Sequence, residues 1–144
     1  MGGIKNNGRD SYGTFYFSNG NIYEGQWKDN DQNGFGKFYF AQDGKLFQFY
    51  VGNFYNSLYQ GFGGYCYQNK YYIGYWSNDK YEGHGKIYSN DGKLIVCGIY
   101  SNDKLIKELN ESEIVFPSYY KDYIPNYQVE HKRYKEILDV KPIA

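Results

Sequence analysis

The sequence predicts an all-β protein, an elongated and twisted antiparallel sheet of stacked β-hairpins with an extended, partly helical C-terminal tail. A short motif recurs along the chain with constant internal spacing, which is typical of a repeat protein. Tyr and Phe, which favour strands, contribute 20 and 10 of the 144 residues. All 18 Gly lie at or before Gly98 and all three Pro lie at or after Pro117, which indicates a Gly-rich body followed by a Gly-free tail.

The repeated motif has an aromatic-x-Gly-x-aromatic opening, a polar turn and a Gly-x-Gly pair. In each of three full copies the second aromatic residue precedes the first Gly of the pair by seven residues. The motif residues are Tyr23, Gly25, Trp27, Gly34 and Gly36 in the first copy, Tyr50, Gly52, Phe54, Gly61 and Gly63 in the second, and Tyr72, Gly74, Trp76, Gly83 and Gly85 in the third.

Atypical copies flank the three full ones, as expected of capping units in a linear array. Ser11 replaces the first Gly of a pair before copy one, and a fourth copy beginning near Gly98 has no Gly-x-Gly. The extra residues at 45–49 predict a bulge. We expect an N-terminal extension at 1–10, a repeat array at 11–106 and a C-terminal tail at 107–144 that contacts a partner.

Alternation along the strands places the motif aromatics and Gly on one face of the sheet. A ring can lie flat over a neighbouring Gly, so this face is expected to bury itself as the core. Every strand is interpreted as placing a Gly among aromatic residues on this side.

The opposite face is polar in the first copy, at Glu24, Gln26, Lys28 and Lys37, and apolar in later copies. A second apolar face on an open sheet needs a cover, either the chain's own tail or another subunit. The candidate partner-binding residues are Val51, Tyr55, Phe62, Ile73, Tyr75, Tyr119, Tyr120 and Tyr123. Within the tail, residues 126–139 predict a helix with Asn126 as N-cap and an apolar stripe of Val129, Tyr134, Ile137 and Leu138.

The motif resembles the MORN repeat (membrane occupation and recognition nexus) over residues 11–106. The resemblance implies a series of two-stranded hairpins in one long, twisted antiparallel sheet. It also implies a structural role, because such arrays occur in ciliary radial spokes, other axonemal assemblies, cytoskeletal scaffolds and junctional membrane proteins. Beside the array we expect no catalytic domain, so the array itself is expected to be the functional part.

The sequence favours neither catalysis nor a cofactor, and we expect no catalytic residue, no cofactor and no metal site. Residues 29–34 match the start of a calcium loop, but Phe40 stands where a bidentate Glu is needed, so a plain turn is favoured. The Cys and His residues lack zinc spacing. A formal net charge of zero argues against nucleic-acid binding and against direct membrane binding as the role.

From these observations we expect a non-catalytic scaffold subunit that contacts other protein subunits of a large assembly. A ciliary axoneme complex such as a radial spoke is the leading expectation, with a cytoplasmic, ciliary or cytoskeletal location. Two alternatives stay open: a peripheral membrane module that binds phosphoinositides, and an accessory subunit of an organellar complex.

Overall fold

The computed structural model describes residues 11–142. The N-terminal extension expected at 1–10 lies outside the described residues. Nine strands form one antiparallel sheet in chain order, without a crossover. They are β1 (Ser11–Tyr16), β2 (Ile22–Lys28), β3 (Asp31–Gln42), β4 (Lys45–Tyr55), β5 (Leu58–Tyr67), β6 (Lys70–Ser77), β7 (Lys80–Ser89), β8 (Leu94–Ser101) and β9 (Lys104–Glu108).

The tail follows β9 with two short 3-10 helices, Glu111–Glu113 and Tyr120–Tyr123, and one α-helix, α1 (Tyr127–Asp139). The predicted N-cap is confirmed, because the Asn126 side chain accepts a hydrogen bond from the backbone N–H of Val129 at 3.1 Å. The predicted apolar stripe is confirmed at Tyr134 and Ile137, which are buried, but wrong at Val129, whose side chain is exposed.

A row of glycines crosses the sheet at the middle of its strands. Successive members are Cα partners in neighbouring strands, and the row contains Gly13, Gly25, Gly36, Gly52, Gly63, Gly74, Gly85 and Gly98. From Gly25 to Gly98 along this row, an added Cβ atom would overlap with backbone or side-chain atoms, most often those of a tyrosine. The glycines therefore let the tyrosine rings lie directly on the backbone of the sheet.

The first Gly of each Gly-x-Gly pair has a different structural role from the glycines of this row. Gly34, Gly61 and Gly83 have φ of +83°, +96° and +96°, and each lies where the strand register shifts. A positive φ is accessible to Gly at little cost, so these residues form the bulges that bend the return strands. The predicted bulge at 45–49 is also confirmed, since the register of β3 and β4 shifts between Phe40 and Ala41, opposite Phe47.

Four two-residue turns line one edge of the array, and both residues of each have positive φ. This is the conformation that matches the twist of a tight hairpin, and Asn, Asp and Ser tolerate it. The turns are Asp29–Asn30, Asn56–Ser57, Asn78–Asp79 and Asn102–Asp103. The interpretation of residues 29–34 as a plain turn is confirmed, because Asp29 and Asn30 form the turn and β3 starts at Asp31.

Candidate binding surface

One face of the sheet, which we call the covered face, carries the tail of the same chain. Val51, Phe62 and Ile73 are 3%, 2% and 2% exposed there. The Phe62 ring packs against Phe116 and Tyr123 of the tail, with ring centroids 4.9 and 5.7 Å apart. A Cβ on Gly64 would lie 2.5 Å from the Tyr123 carbonyl oxygen and 2.6 Å from Pro125 Cδ, so the tail crosses the sheet at backbone contact.

Helix α1 continues this cover over the early strands. Tyr134 and Ile137 form one buried cluster with residues of β2 to β5, namely Ile22, Tyr39, Leu46, Phe49, Val51 and Cys66. The covered face is thus apolar in the first copy as well, at Ile22 and Tyr39. The expectation of a polar face in the first copy is therefore incomplete, because Glu24, Gln26, Lys28 and Lys37 share their alternation with the apolar side chains of Ile22 and Tyr39.

Two ion pairs fix α1 on the sheet. Arg133 donates to the Glu24 carboxylate, and Lys37 Nζ lies 3.0 Å from Glu130 Oε2. The Tyr39 hydroxyl donates to Glu130 at 2.7 Å. Burial raises the pKa of Tyr39, and the neighbouring Glu130 carboxylate raises it further, so Tyr39 remains a neutral donor. The polar residues Glu24 and Lys37 therefore bind the helix, and Glu24 is buried there.

The candidate partner-binding residues are thereby divided. Val51, Phe62 and Ile73 are corrected from docking residues to core residues, because the tail already removes them from water. Tyr75 lies half-buried beside Phe62, at 5.2 Å between ring centroids. The remaining four lie at the edge of this cover or within it: Tyr55 and Tyr119 are exposed, and Tyr120 and Tyr123 are half-buried.

The opposite face, which we call the aromatic face, carries a ladder of interlocked rings. Within each copy the motif pair meets edge to face, with centroids 5.1 Å apart for Tyr23 and Trp27 and 5.2 Å for Tyr72 and Trp76. Between copies Tyr50 meets Trp76 at 5.3 Å. Edge-to-face contact is a favourable arrangement of aromatic quadrupoles. The prediction that this face forms a core is confirmed for its buried rings, which are Tyr23, Trp27, Tyr50, Phe54, Tyr72, Trp76 and Tyr100.

The hydroxyl of each motif tyrosine also makes a hydrogen bond within its own strand. The hydroxyls of Tyr23, Tyr50 and Tyr72 donate to the backbone carbonyl three residues ahead, at 2.7, 2.8 and 2.8 Å. These carbonyls lie opposite the bulges at Gly34, Gly61 and Gly83. The hydroxyl therefore satisfies a backbone acceptor that the bulge leaves out of the ladder.

Two further tyrosines belong to this face and were missed by the sequence interpretation. Tyr59 stacks on Tyr50 with centroids 3.9 Å apart, and Tyr81 stacks on Tyr72 at 3.7 Å. Each stands two residues before the first Gly of a Gly-x-Gly pair. Aligning the second and third copies on that Gly would have revealed them, whereas Gln32 occupies the position in the first copy.

An open groove lies on the aromatic face between β3 and the turn that follows β8. Its volume is about 650 Å³. Half-buried rings form its sides, while Trp76 is buried at its base and donates its indole N–H to the Gly63 carbonyl at 3.0 Å. The lining residues are Gln32, Phe38, Phe40, Ser57, Tyr59, Tyr65, Trp76, Asp79, Tyr81 and Asp103.

The polar residues of the groove come from the turns. Ser57, Asp79 and Asp103 are each the second residue of a two-residue turn. Asp79 accepts the backbone N–H of Tyr59 at 2.7 Å, and Asp103 accepts that of Tyr81 at 2.8 Å. Each carboxylate is therefore held against the preceding copy, and the same hydrogen bond recurs in successive copies along the rim of the groove.

The groove tyrosines are neutral at physiological pH. Burial raises the pKa of Tyr65 to about 12. Burial also raises the pKa of Tyr59 and of Tyr81 well above the ordinary value, and the carboxylates of Asp79 and Asp103 add to these increases. The groove thus presents apolar rings and uncharged hydroxyls beside two carboxylates. Such a surface is suited to binding and supplies no patterned nucleophile and base.

Within residues 11–142 the structure contains no group of three or more His, Cys, Asp or Glu side chains placed to hold a metal ion. Both cysteines are buried free thiols, and burial raises the pKa of Cys66 to about 11. In the same part of the chain, no helix is both long enough and apolar enough to cross a lipid bilayer.

These features define the chain as an array of β-hairpin repeats in one open sheet. The sequence model of the MORN repeat matches it at residues 1–22, 23–45, 50–70 and 72–93, which is more than half of the chain. The chain belongs to the MORN-repeat family, a structural repeat module that contacts proteins and membranes. A comparison with curated protein sequences finds no significant match.

Proposed function

We propose that the chain is a non-catalytic scaffold subunit that binds another protein through the groove of its aromatic face. The observation that carries this proposal is that the two faces of the sheet differ in how far the chain itself covers them. The tail covers one face, whereas the rings of Phe38, Phe40, Tyr59, Tyr65 and Tyr81 on the other remain half-buried around an open groove.

The composition of the groove supports binding to a protein. Tyr and Trp are enriched at the centres of protein interfaces, where they bury large areas and lose little side-chain entropy. Tyr59 and Tyr81 are already held by stacking on Tyr50 and Tyr72. A partner therefore meets a surface whose rings need no further ordering, which favours affinity.

A membrane-binding role receives less support from the same surface. A protein that binds anionic lipid through charge needs clustered Lys and Arg. Within residues 11–142, the groove is lined by Asp79 and Asp103 and by no basic residue. Co-sedimentation with phosphoinositide vesicles at physiological salt tests this alternative, and we expect the protein to stay in the supernatant.

We also propose a place for the scaffold in a ciliary axoneme complex such as a radial spoke. This finer proposal is supported by the settings in which MORN arrays occur. Imaging of a fluorescently tagged chain in cells of its source, beside an axonemal marker, tests it. A purely cytosolic or organellar distribution would contradict the ciliary assignment and leave the scaffold proposal standing.

Site-specific photo-crosslinking in those cells tests the scaffold proposal. A photoreactive amino acid at Tyr65 reports on the groove, and one at Val129, exposed on α1, reports on the covered side. We expect discrete protein adducts from position 65 that disappear when Phe40→Lys places a charge in the groove. Circular dichroism of the Phe40→Lys chain checks its fold. Adducts confined to position 129, or unchanged by Phe40→Lys, would contradict binding through the groove.

A further inference from the structure

The charges around the groove indicate what kind of partner it takes. We propose that the groove selects a protein segment that combines apolar side chains with two basic side chains, which pair with the carboxylates of Asp79 and Asp103. This inference rests on the proposed function, since it names the chemistry of the partner that the scaffold binds.

The first argument is the composition of the rim. Among the residues that the structure describes, two carboxylates line the groove and no Lys, Arg or His does. Lys80 Nζ lies 3.8 Å from Asp103 Oδ2, but both side chains are about half exposed and such a pair is weak. A basic side chain of a partner can therefore displace Lys80 at little cost, while Asp79 has no cation to give up within residues 11–142.

The second argument is that the carboxylates are already oriented. One oxygen of each, Oδ1, accepts a backbone N–H from the strand of the preceding copy. The other oxygen of Asp103, Oδ2, makes the exposed contact with Lys80, which a basic side chain of a ligand can replace. An acceptor that is held in place before binding loses little side-chain entropy on pairing, so its contact contributes more to selectivity than a mobile surface charge does.

The third argument is the difference between the two faces. On the covered face three cations are paired with carboxylates of the same chain, Arg133 with Glu24, Lys37 with Glu130 and Lys86 with Glu111. Arg133 and Lys86 there oppose the rise in the pKa of Tyr39 and Tyr71. In the groove the carboxylate of Asp79 acts on Tyr59 and that of Asp103 acts on Tyr81. Among residues 11–142, the exposed contact between Lys80 and Asp103 is the ion pair that offsets this negative charge.

The repeat sets the spacing that a partner must satisfy. Asp79 and Asp103 occupy equivalent turns two strands apart, and neighbouring strands are about 4.8 Å apart, so the two turns are separated by about 10 Å. Residues seven apart on an α-helix are separated by about 10.5 Å and lie on one face. Two basic residues at this spacing, with apolar residues between them, fit the rings and the rim together.

Selection from a random peptide library displayed on phage, with the full chain as bait, tests the inference. The double variant Asp79→Asn and Asp103→Asn removes both charges, yet its amide oxygens can still accept the two backbone N–H groups. The matched control is Asp29→Asn and Asp43→Asn, which removes two exposed turn carboxylates outside the groove. Affinities of the selected peptides are then measured for all three chains at two salt concentrations.

We expect selected peptides rich in Lys or Arg beside aromatic or aliphatic residues. The groove variant should bind them about threefold to thirtyfold more weakly, with a shallower salt dependence, while the control variant binds as the parent does. Peptides that lose binding with Phe40→Lys and yet lack basic residues would overturn this inference, as would peptides that still bind when both carboxylates are removed. Either result would leave the proposal of binding through the groove in place. Peptides that bind regardless of Phe40→Lys, or no enrichment at all, would overturn the proposed function as well.

Discussion

The hydroxyphenyl ring of Tyr50 lies directly on Gly63 of the neighbouring strand, so that a Cβ at Gly63 would come within 2.5 Å of Tyr50 Cζ. The same relationship links Tyr23 with Gly36 and Tyr72 with Gly85. The tyrosine and the glycine of the repeat are therefore one structural unit, in which the absence of a Cβ at the glycine leaves room for the tyrosine ring.

Replacement of Gly63 by Ala tests this unit. The added methyl cannot be accommodated without moving Tyr50, which is fully buried, and overpacking of this kind costs about 3 kcal/mol. We expect urea denaturation to show that loss in the free energy of unfolding. Gly44→Asn is the control, because Gly44 has φ of +76° and open space around it, and Asn tolerates that conformation. An equal loss in the free energy of unfolding for both variants would contradict the idea that Gly63 makes room for the Tyr50 ring.

The two kinds of buried tyrosine hydroxyl should respond oppositely to removal. Tyr72 donates to the Tyr75 carbonyl, so Tyr72→Phe leaves a buried acceptor unpaired and should cost about 1 kcal/mol. The hydroxyl of Tyr100 is buried without a partner within residues 11–142, so Tyr100→Phe should leave stability unchanged or raise it by up to about 1 kcal/mol. Thermal unfolding of the two single variants measures both effects, and a destabilised Tyr100→Phe would show that its hydroxyl is bonded.

The ion pair between α1 and the sheet should matter more than its exposed neighbours. Arg133→Met leaves the Glu24 carboxylate buried and unpaired, which should cost about 2 to 3 kcal/mol. Lys135→Met makes the same chemical change on an exposed position of α1 and should stay within about 0.5 kcal/mol of the parent. Denaturation followed by circular dichroism measures both. Equal stability of the two variants would mean that apolar contacts alone hold the helix.

Acid should weaken the first contact of the tail. Hydrogen bonds from Lys86 at 3.1 Å and Tyr88 at 3.0 Å lower the pKa of Glu111 below its ordinary value of 4.5. A lowered carboxyl pKa stabilises the folded chain above the unfolded-state pKa, and that contribution is lost as pH falls through the folded-state value. We expect Glu111→Gln to reduce the difference in melting temperature between pH 7 and pH 3.

Glu108→Gln, at an exposed position of β9, serves as the control for the Glu111 variant. It should leave the acid dependence of the melting temperature nearly unchanged. A carboxyl NMR titration adds a direct reading, in which Tyr88→Phe should move the pKa of Glu111 back towards its ordinary value. An unchanged titration of Glu111 in that variant would rule out the Tyr88 hydrogen bond as a cause.

Much of the binding groove was accessible from sequence, because it is a product of the repeat. Alternation along the return strands from Gly36 and Gly63 places Phe38, Phe40 and Tyr65 on the aromatic face, and all three line the groove. Tyr59 and Tyr81 lie outside the repeated motif, so the motif does not predict them. Asn78–Asp79 and Asn102–Asp103 have the composition of hairpin turns, and nothing local reveals that these turns border an aromatic groove.

The sequence by itself determined the hairpins, their order, the face that bears the rings and the capped helix at the end of the tail. These features depend on neighbours in the chain or on the next copy, so periodicity and turn chemistry are sufficient to specify them. The tertiary structure decided which face is covered and by what. Glu24 and Arg133 are 109 residues apart in sequence, and Lys37 and Glu130 are 93 apart. A charged residue in a strand is compatible with water or with a distant counter-ion, and only the folded chain distinguishes the two.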